Sequence, residues 1–269
     1  MDLQERAAHN LEKVREQKPL VHNITNFVVM NYTANALLAA GASPVMAHAP
    51  DEVEEMVSFA RALVLNIGTL TDDWVASMVS AGEKASEQQT PTILDPVGSG
   101  ATQLRTSAAK EIIEKTKPSV IRGNASEVLS LKDATSTTKG VDSIHSVADA
   151  EDAARTLAGE LQTVLAITGP TDMVTDGNRV VRVGNGHPLM GSVTGTGCTA
   201  TALIGAFLAV DSDPLRATAT ALAYFGLAGE VASENASAPG SFMIAMLDAL
   251  YTISPDQLKS GSRFEEATG

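Results

Sequence analysis

The chain has 269 residues, 44% of them hydrophobic and 19% charged, enough to bury the core of one large α/β domain. A formal net charge of -13 and a pI near 4.7 exclude a surface built for nucleic acid or anionic lipid. The single cysteine, Cys198, excludes an intrachain disulfide and fits a reducing, cytoplasmic compartment.

Residues 1–18 are charged and helix-like, with no apolar leader segment. Short apolar runs then alternate with helical patterns. Strands are expected at 20–25, 44–47, 63–67, 92–95, 119–122 and 163–168. Most lack polar alternation, as parallel strands buried on both faces do. Helices are expected between them at 26–40, 51–60, 71–88, 107–115 and 146–158, the last opening on a capping-box variant at Ser146. Residues 172–176 and 179–184 flank Gly177-Asn178 and predict a hairpin. Beyond it the pattern is helical at 196–210, at 214–234 with Asp213 as N-cap and Pro214 at the first helical position, and at 242–252. The apolar stretch around 200–210 is too short to span a bilayer. The tail from about residue 259 is polar and expected to fray. Residues 1–269 therefore read as one domain.

In open α/β sheets, ligands bind beyond the carboxyl ends of the parallel strands. The strand ends here carry His22-Asn23-Ile24-Thr25-Asn26, Met46, Asn66-Ile67-Gly68-Thr69, Asp95-Pro96-Val97-Gly98, Arg122-Gly123-Asn124-Ala125-Ser126-Glu127 and Thr168-Gly169-Pro170. Polar groups and glycines thus collect at one edge. Gly195-Thr196-Gly197 precedes an apolar helix, so converging backbone N–H groups and the helix dipole suit an anion. A Walker A lysine is absent, and a second helix follows where a dinucleotide fold needs a strand. Cys198, at the start of that helix, is either an activated thiol or a small buried residue. Asp95 and Glu127 suit Mg²⁺, held directly or through water, or else capping and ion pairing. Arg122 is the one cation among these strand-end residues, placed to pair with phosphate oxygens. His22 reads as a core histidine.

Taken together, these strings resemble the hydroxyethylthiazole kinase family of thiamine salvage, within the ribokinase-like superfamily, along nearly the whole chain. The resemblance implies a three-layer α/β/α fold with a mostly parallel sheet. It implies an enzyme that transfers a phosphoryl group from ATP, with Mg²⁺, to the primary alcohol of 4-methyl-5-(2-hydroxyethyl)thiazole. By the same resemblance, Glu127 would organise Mg²⁺ with Asp95 nearby, and Arg122 and Thr168 would contact ATP. Gly195, Thr196 and Gly197 would form the anion hole. Met46, Asn26 and Gly68, with Gly195, would meet the thiazole. Cys198 would serve as base or positioning group, where the wider superfamily carries an aspartate. The family also implies a homotrimer with sites between subunits.

Overall fold

The apolar runs become strands because their β-branched and aliphatic side chains fill both faces of a covered sheet. A computed structural model describes residues 1–132 and 147–268. In chain order its elements are α1 (Leu3–Gln17), β1 (Leu20–Ile24), α2 (Met30–Ala40), β2 (Ser43–Val45), α3 (Val53–Phe59), β3 (Ala62–Asn66), α4 (Asp72–Glu87), β4 (Thr92–Asp95), α5 (Gln103–Thr116), β5 (Val120–Gly123) and α6 (Ala125–Leu129). There follow α7 (Val147–Leu161), β6 (Val164–Ile167), β7 (Asp172–Thr175), β8 (Arg179–Val183), a 3-10 turn (Pro188–Ser192), α8 (Thr196–Leu208), α9 (Pro214–Asn235), α10 (Pro239–Thr252), α11 (Pro255–Gly261) and β9 (Phe264–Thr268).

Among the described residues nine strands form one sheet in the order β2-β1-β3-β4-β5-β6-β7-β8-β9. Pairing from β2 through β6 is parallel, and β6 through β9 is antiparallel. One apolar cluster joins α1, α2, α8, α9 and α10 to one face; a second joins α3, α4, α5 and α7 to the other. The layering is therefore α/β/α, as expected. The six parallel strands, β2, β1 and β3 to β6, end on one edge, which is where their polar tails meet.

α8 is buried from Thr199 to Leu208, and an all-round apolar helix is stable only when covered on every side. It packs on β1, β3 and β4 closely enough to need Gly205, where an added Cβ would stand 2.9 Å from Val64 Cγ2. That contact aims the amino end of α8 at the polar strand ends.

Strand and helix positions match the expectations within a few residues, and Asp213 caps α9 with Pro214 at its start. The tail is a correction. Residues 255–261 form a helix with a Ser254–Gln257 capping box, and residues 264–268 pair antiparallel with β8 instead of fraying. Edge pairing draws on backbone groups, which a polar sequence supplies as well as an apolar one. The capping variant at Ser146 lies outside the described residues.

Gly205→Ala sets about 1 kcal/mol of helix propensity against about 1–3 kcal/mol of overpacking. The expected result is a net loss on the order of 1 kcal/mol in urea unfolding. A more stable variant would show that the α8–sheet contact is looser than described.

Candidate active site

Asp95 ends β4 with no solvent exposure, and a carboxylate that deep requires partners. Its Oδ2 accepts from Asn66 Nδ2 at 2.8 Å and from Thr201 Oγ1 at 2.9 Å, and Arg122 Nη1 lies 3.6 Å away. Its Oδ1 has no protein partner. Burial pushes the carboxyl up from its ordinary value, and Arg122 is the strongest opposing influence.

Arg122, on β5, donates to the Thr168 hydroxyl just past β6. The guanidinium lies across Gly197, where an added Cβ would stand 2.6 Å from Nη1. Gly195 takes a positive φ of 84° as the N-cap of α8, with Val29 packed against it. No side chain caps this helix, so its first amides have no acceptor within it. The Thr196 hydroxyl turns away, donating to the carbonyls of Met190 and Val193. Arg122, Thr168 and the Gly195–Gly197 turn therefore form one anion-directed corner.

Cys198 lies in the first turn of α8, and Asn26 Nδ2 reaches its sulfur at 3.5 Å. The same amide donates to Asn66 Oδ1 at 2.8 Å, which also accepts from the Gly68 N–H at 2.9 Å. Gly68 is pressed against Asn26, an added Cβ there standing 2.6 Å from Nδ2. Met46 stands half-buried one residue past β2, on the same sheet edge. Next to Asn26, Phe27 sets its ring edge-on to Trp74, and His48 stacks on Trp74 at 4.3 Å.

Of the two readings, activated thiol or small buried residue, the helix amino end alone would favour the first. Burial instead pushes Cys198 up to about 11, and the Asp95 charge adds to that. It is a neutral thiol at physiological pH. His22 is a core residue as expected: fully buried, with Nε2 on the Ala47 carbonyl at 2.7 Å and its basicity lowered by burial.

Glu127 sits in the first turn of α6, inside a capping box with Asn124. Its Oε1 accepts from the Gly98 N–H at 2.8 Å and its Oε2 from the Asn124 N–H at 2.9 Å. Among the described residues, no three His, Cys, Asp or Glu side chains gather as a metal cage. A hard cation that keeps waters and phosphate oxygens needs only one or two carboxylates, and the unpartnered Asp95 oxygen is of the right chemistry. The residues present therefore fit Mg²⁺, with Glu127 acting from behind its amide bonds.

Beside Arg122 and Thr168 opens a cleft of about 520 Å³, walled by Asp172, His187, Met190, Leu222 and Phe225. Residues 11–256 match the model of the hydroxyethylthiazole kinase family. The chain belongs to this family. The hydroxyethylthiazole kinase of Desulfotalea psychrophila is 66% identical over 262 residues, covering 97% of this chain and 96% of its own. The structure of the hydroxyethylthiazole kinase protein from Pyrococcus horikoshii OT3 superposes with a TM-score of 0.90 at 47% identity, covering 97% of this chain and 99% of that one. A ribokinase-like superfamily protein from Enterococcus faecalis V583 shares the fold alone, with a TM-score of 0.65 at 13% identity over 92% of this chain and 89% of its own. The protein is thus a kinase of ribokinase-like architecture.

As in the sequence reading, Asn26, Gly68, Asp95, Arg122, Thr168, Gly195–Gly197 and Cys198 come together in this kinase. Glu127 reaches them through Gly98 and Asn124, whereas Met46 stands at the rim. Sequence reasoning missed Asn66 and Thr201. Asn66 stood in a quoted string, and Thr201 falls three residues after Cys198, on the same helix face.

Asp172 lies in the cleft wall, and burial raises it from 3.8 to about 6. The folded state therefore holds a proton that the unfolded chain has released, so this group's contribution to stability falls as pH rises through that window. Asp172→Asn keeps an acceptor for the Gly169 N–H and removes the buried charge. It is expected to raise Tm at neutral pH, on the order of 1 kcal/mol, and to leave Tm at pH 4 nearly unchanged. An equal shift at both pH values would contradict the burial argument.

Proposed function

We propose that this kinase phosphorylates the primary alcohol of 4-methyl-5-(2-hydroxyethyl)thiazole with ATP and Mg²⁺, in thiamine salvage, with residues 1–269 acting as one domain. One observation carries the reading: the Cys198 sulfur lies in the first turn of α8, next to the anion-directed Gly195–Gly197, and Asn26 Nδ2 reaches it at 3.5 Å. Acceptor and phosphoryl group would meet there.

In this reading the acceptor ring lies against Asn26, Gly68 and Met46, and the nucleoside occupies the cleft beside Thr168. The γ-phosphoryl group lies before the amides that open α8. Arg122 neutralises charge on its oxygens while the acceptor oxygen bonds to phosphorus and the bridging bond to ADP breaks. When bound, Mg²⁺ would neutralise phosphate charge; Asp95 and Glu127 would hold it, directly or through water. Cys198, as a neutral thiol, orients the hydroxyl, and the hydroxyl proton passes to an oxygen of the transferred phosphoryl group as transfer proceeds. The alignment of two substrates accounts for most of the rate. We place the protein in the cytoplasm, where ATP is abundant and a lone thiol stays reduced.

We further propose the homotrimer. Phe27, Val28 and Leu38, in and beside α2, and Met243, Ile244 and Tyr251 on α10 are exposed, and the Tyr32 hydroxyl ties the two helices by donating to the Met243 carbonyl. Apolar side chains grouped on packed helices are the mark of an interface. The Phe27 end lies beside Asn26, so a second subunit there would wall the acceptor site.

ADP release from Mg-ATP should depend on hydroxyethylthiazole and not on hydroxymethylpyrimidine or pyridoxal; release with a comparison alcohol only would move the assignment to a sister kinase. Cys198→Ala should cut kcat on the order of 10- to 100-fold with ATP binding intact. The parent should show no Cys198-dependent limb near the ordinary thiol value of about 8.5. Such a limb would restore an ionised thiol as the base. In sedimentation, Ile244→Asp should shift a trimer to smaller species and weaken thiazole turnover; a parent that runs as a monomer would remove the trimer.

A further inference from the structure

Arg105 is misplaced by local rules. It occupies the first turn of α5, which has no acidic residue there, and a cation at a helix amino end opposes the dipole. A local conflict of this kind marks a residue held by something other than its own helix. Among the described residues it forms no ion pair. Its guanidinium instead donates to three backbone carbonyls: Nη1 to Ile67 at 2.9 Å and to Val97 at 2.8 Å, and Nη2 to Gly68 at 3.1 Å. Its stem crosses Gly98, where an added Cβ would stand 2.9 Å from Arg105 Cδ and where φ is 75°.

The three carbonyls belong to two different loops. Ile67 and Gly68 follow β3, and Gly68 presses on Asn26. Val97 and Gly98 follow β4, and the Gly98 N–H holds Glu127 Oε1 at 2.8 Å. We propose that Arg105 is a positioning residue that clamps the acceptor loop to the loop supporting Glu127, so that alcohol placement and metal organisation are set by one side chain. The inference rests on the acceptor and metal roles proposed above. Planarity matters: a guanidinium spans carbonyls on two loops with fixed geometry, whereas an ammonium is a single point.

The test uses the full chain with Arg105→Ala and Arg105→Lys, assayed well below each variant's Tm. Arg105→Ala should raise the acceptor KM and the Mg²⁺ needed for half-activation together, each about 10- to 100-fold, with the ATP KM unchanged at saturating Mg²⁺. Arg105→Lys should restore part of both. Adding Glu127→Gln to Arg105→Ala should cost less than the two single effects combined. In nucleotide-free protein, amide exchange at Gly68 and Gly98 should quicken together in Arg105→Ala. A fall in kcat alone, an acceptor KM that moves without the Mg²⁺ requirement, or loosening of one loop only would overturn the clamp. If the parent shows no thiazole-dependent ADP release, the substrate assignment fails, while the paired amide exchange still decides whether the two loops are joined.

Discussion

Asp95 is buried at the centre of the sheet edge, and three other elements reach it: β3 through Asn66, α8 through Thr201 and β5 through Arg122. A charge there is costly unless hydrogen-bonded and paired, and removing one partner leaves the rest exposed to that cost. One carboxyl group therefore ties α8 to the edge that the β3–β4–β5 ladders form. From Asn66 the network continues to Asn26 and from there to the Cys198 sulfur. In the proposed mechanism the acceptor side would inherit its geometry from the group that organises the phosphate side.

The protein carries a formal charge of -13, yet its reactant would be a polyanion. The conflict is resolved locally. Three features would act at the proposed phosphoryl corner: the amides opening α8, the Arg122 guanidinium, and glycines that let both approach closely. Gly197 is the joint between them, because any side chain there would displace the guanidinium from the helix end. Backbone dipoles do the work without adding net charge to the surface.

Much of this was legible in the residues. The parallel strands showed as apolar runs without alternation, and the site residues clustered because strand ends in such sheets converge. What stayed hidden depended on contacts across long stretches of chain. Asn66 meets Asp95 across 29 residues, and Arg105 gathers carbonyls as far as 38 residues away. No spacing rule announces either. The short helix α6 was hidden because Asn124-Ala125-Ser126-Glu127 reads equally as a turn, and β9 because its pairing uses the main chain. The thiol stayed open between two readings for a different reason. Its helix position was visible, but its burial and its distance from the Asp95 charge were properties of the packed structure.

The half-buried thiol also bears on chemical endurance. Oxidants and electrophiles attack thiolates, and a group at about 11 is ionised in roughly one molecule in ten thousand at neutral pH. In the proposed mechanism a more acidic sulfur at this place would let peroxide silence the enzyme through sulfenic acid. The packing that suppresses ionisation makes Cys198 slow prey for such reagents.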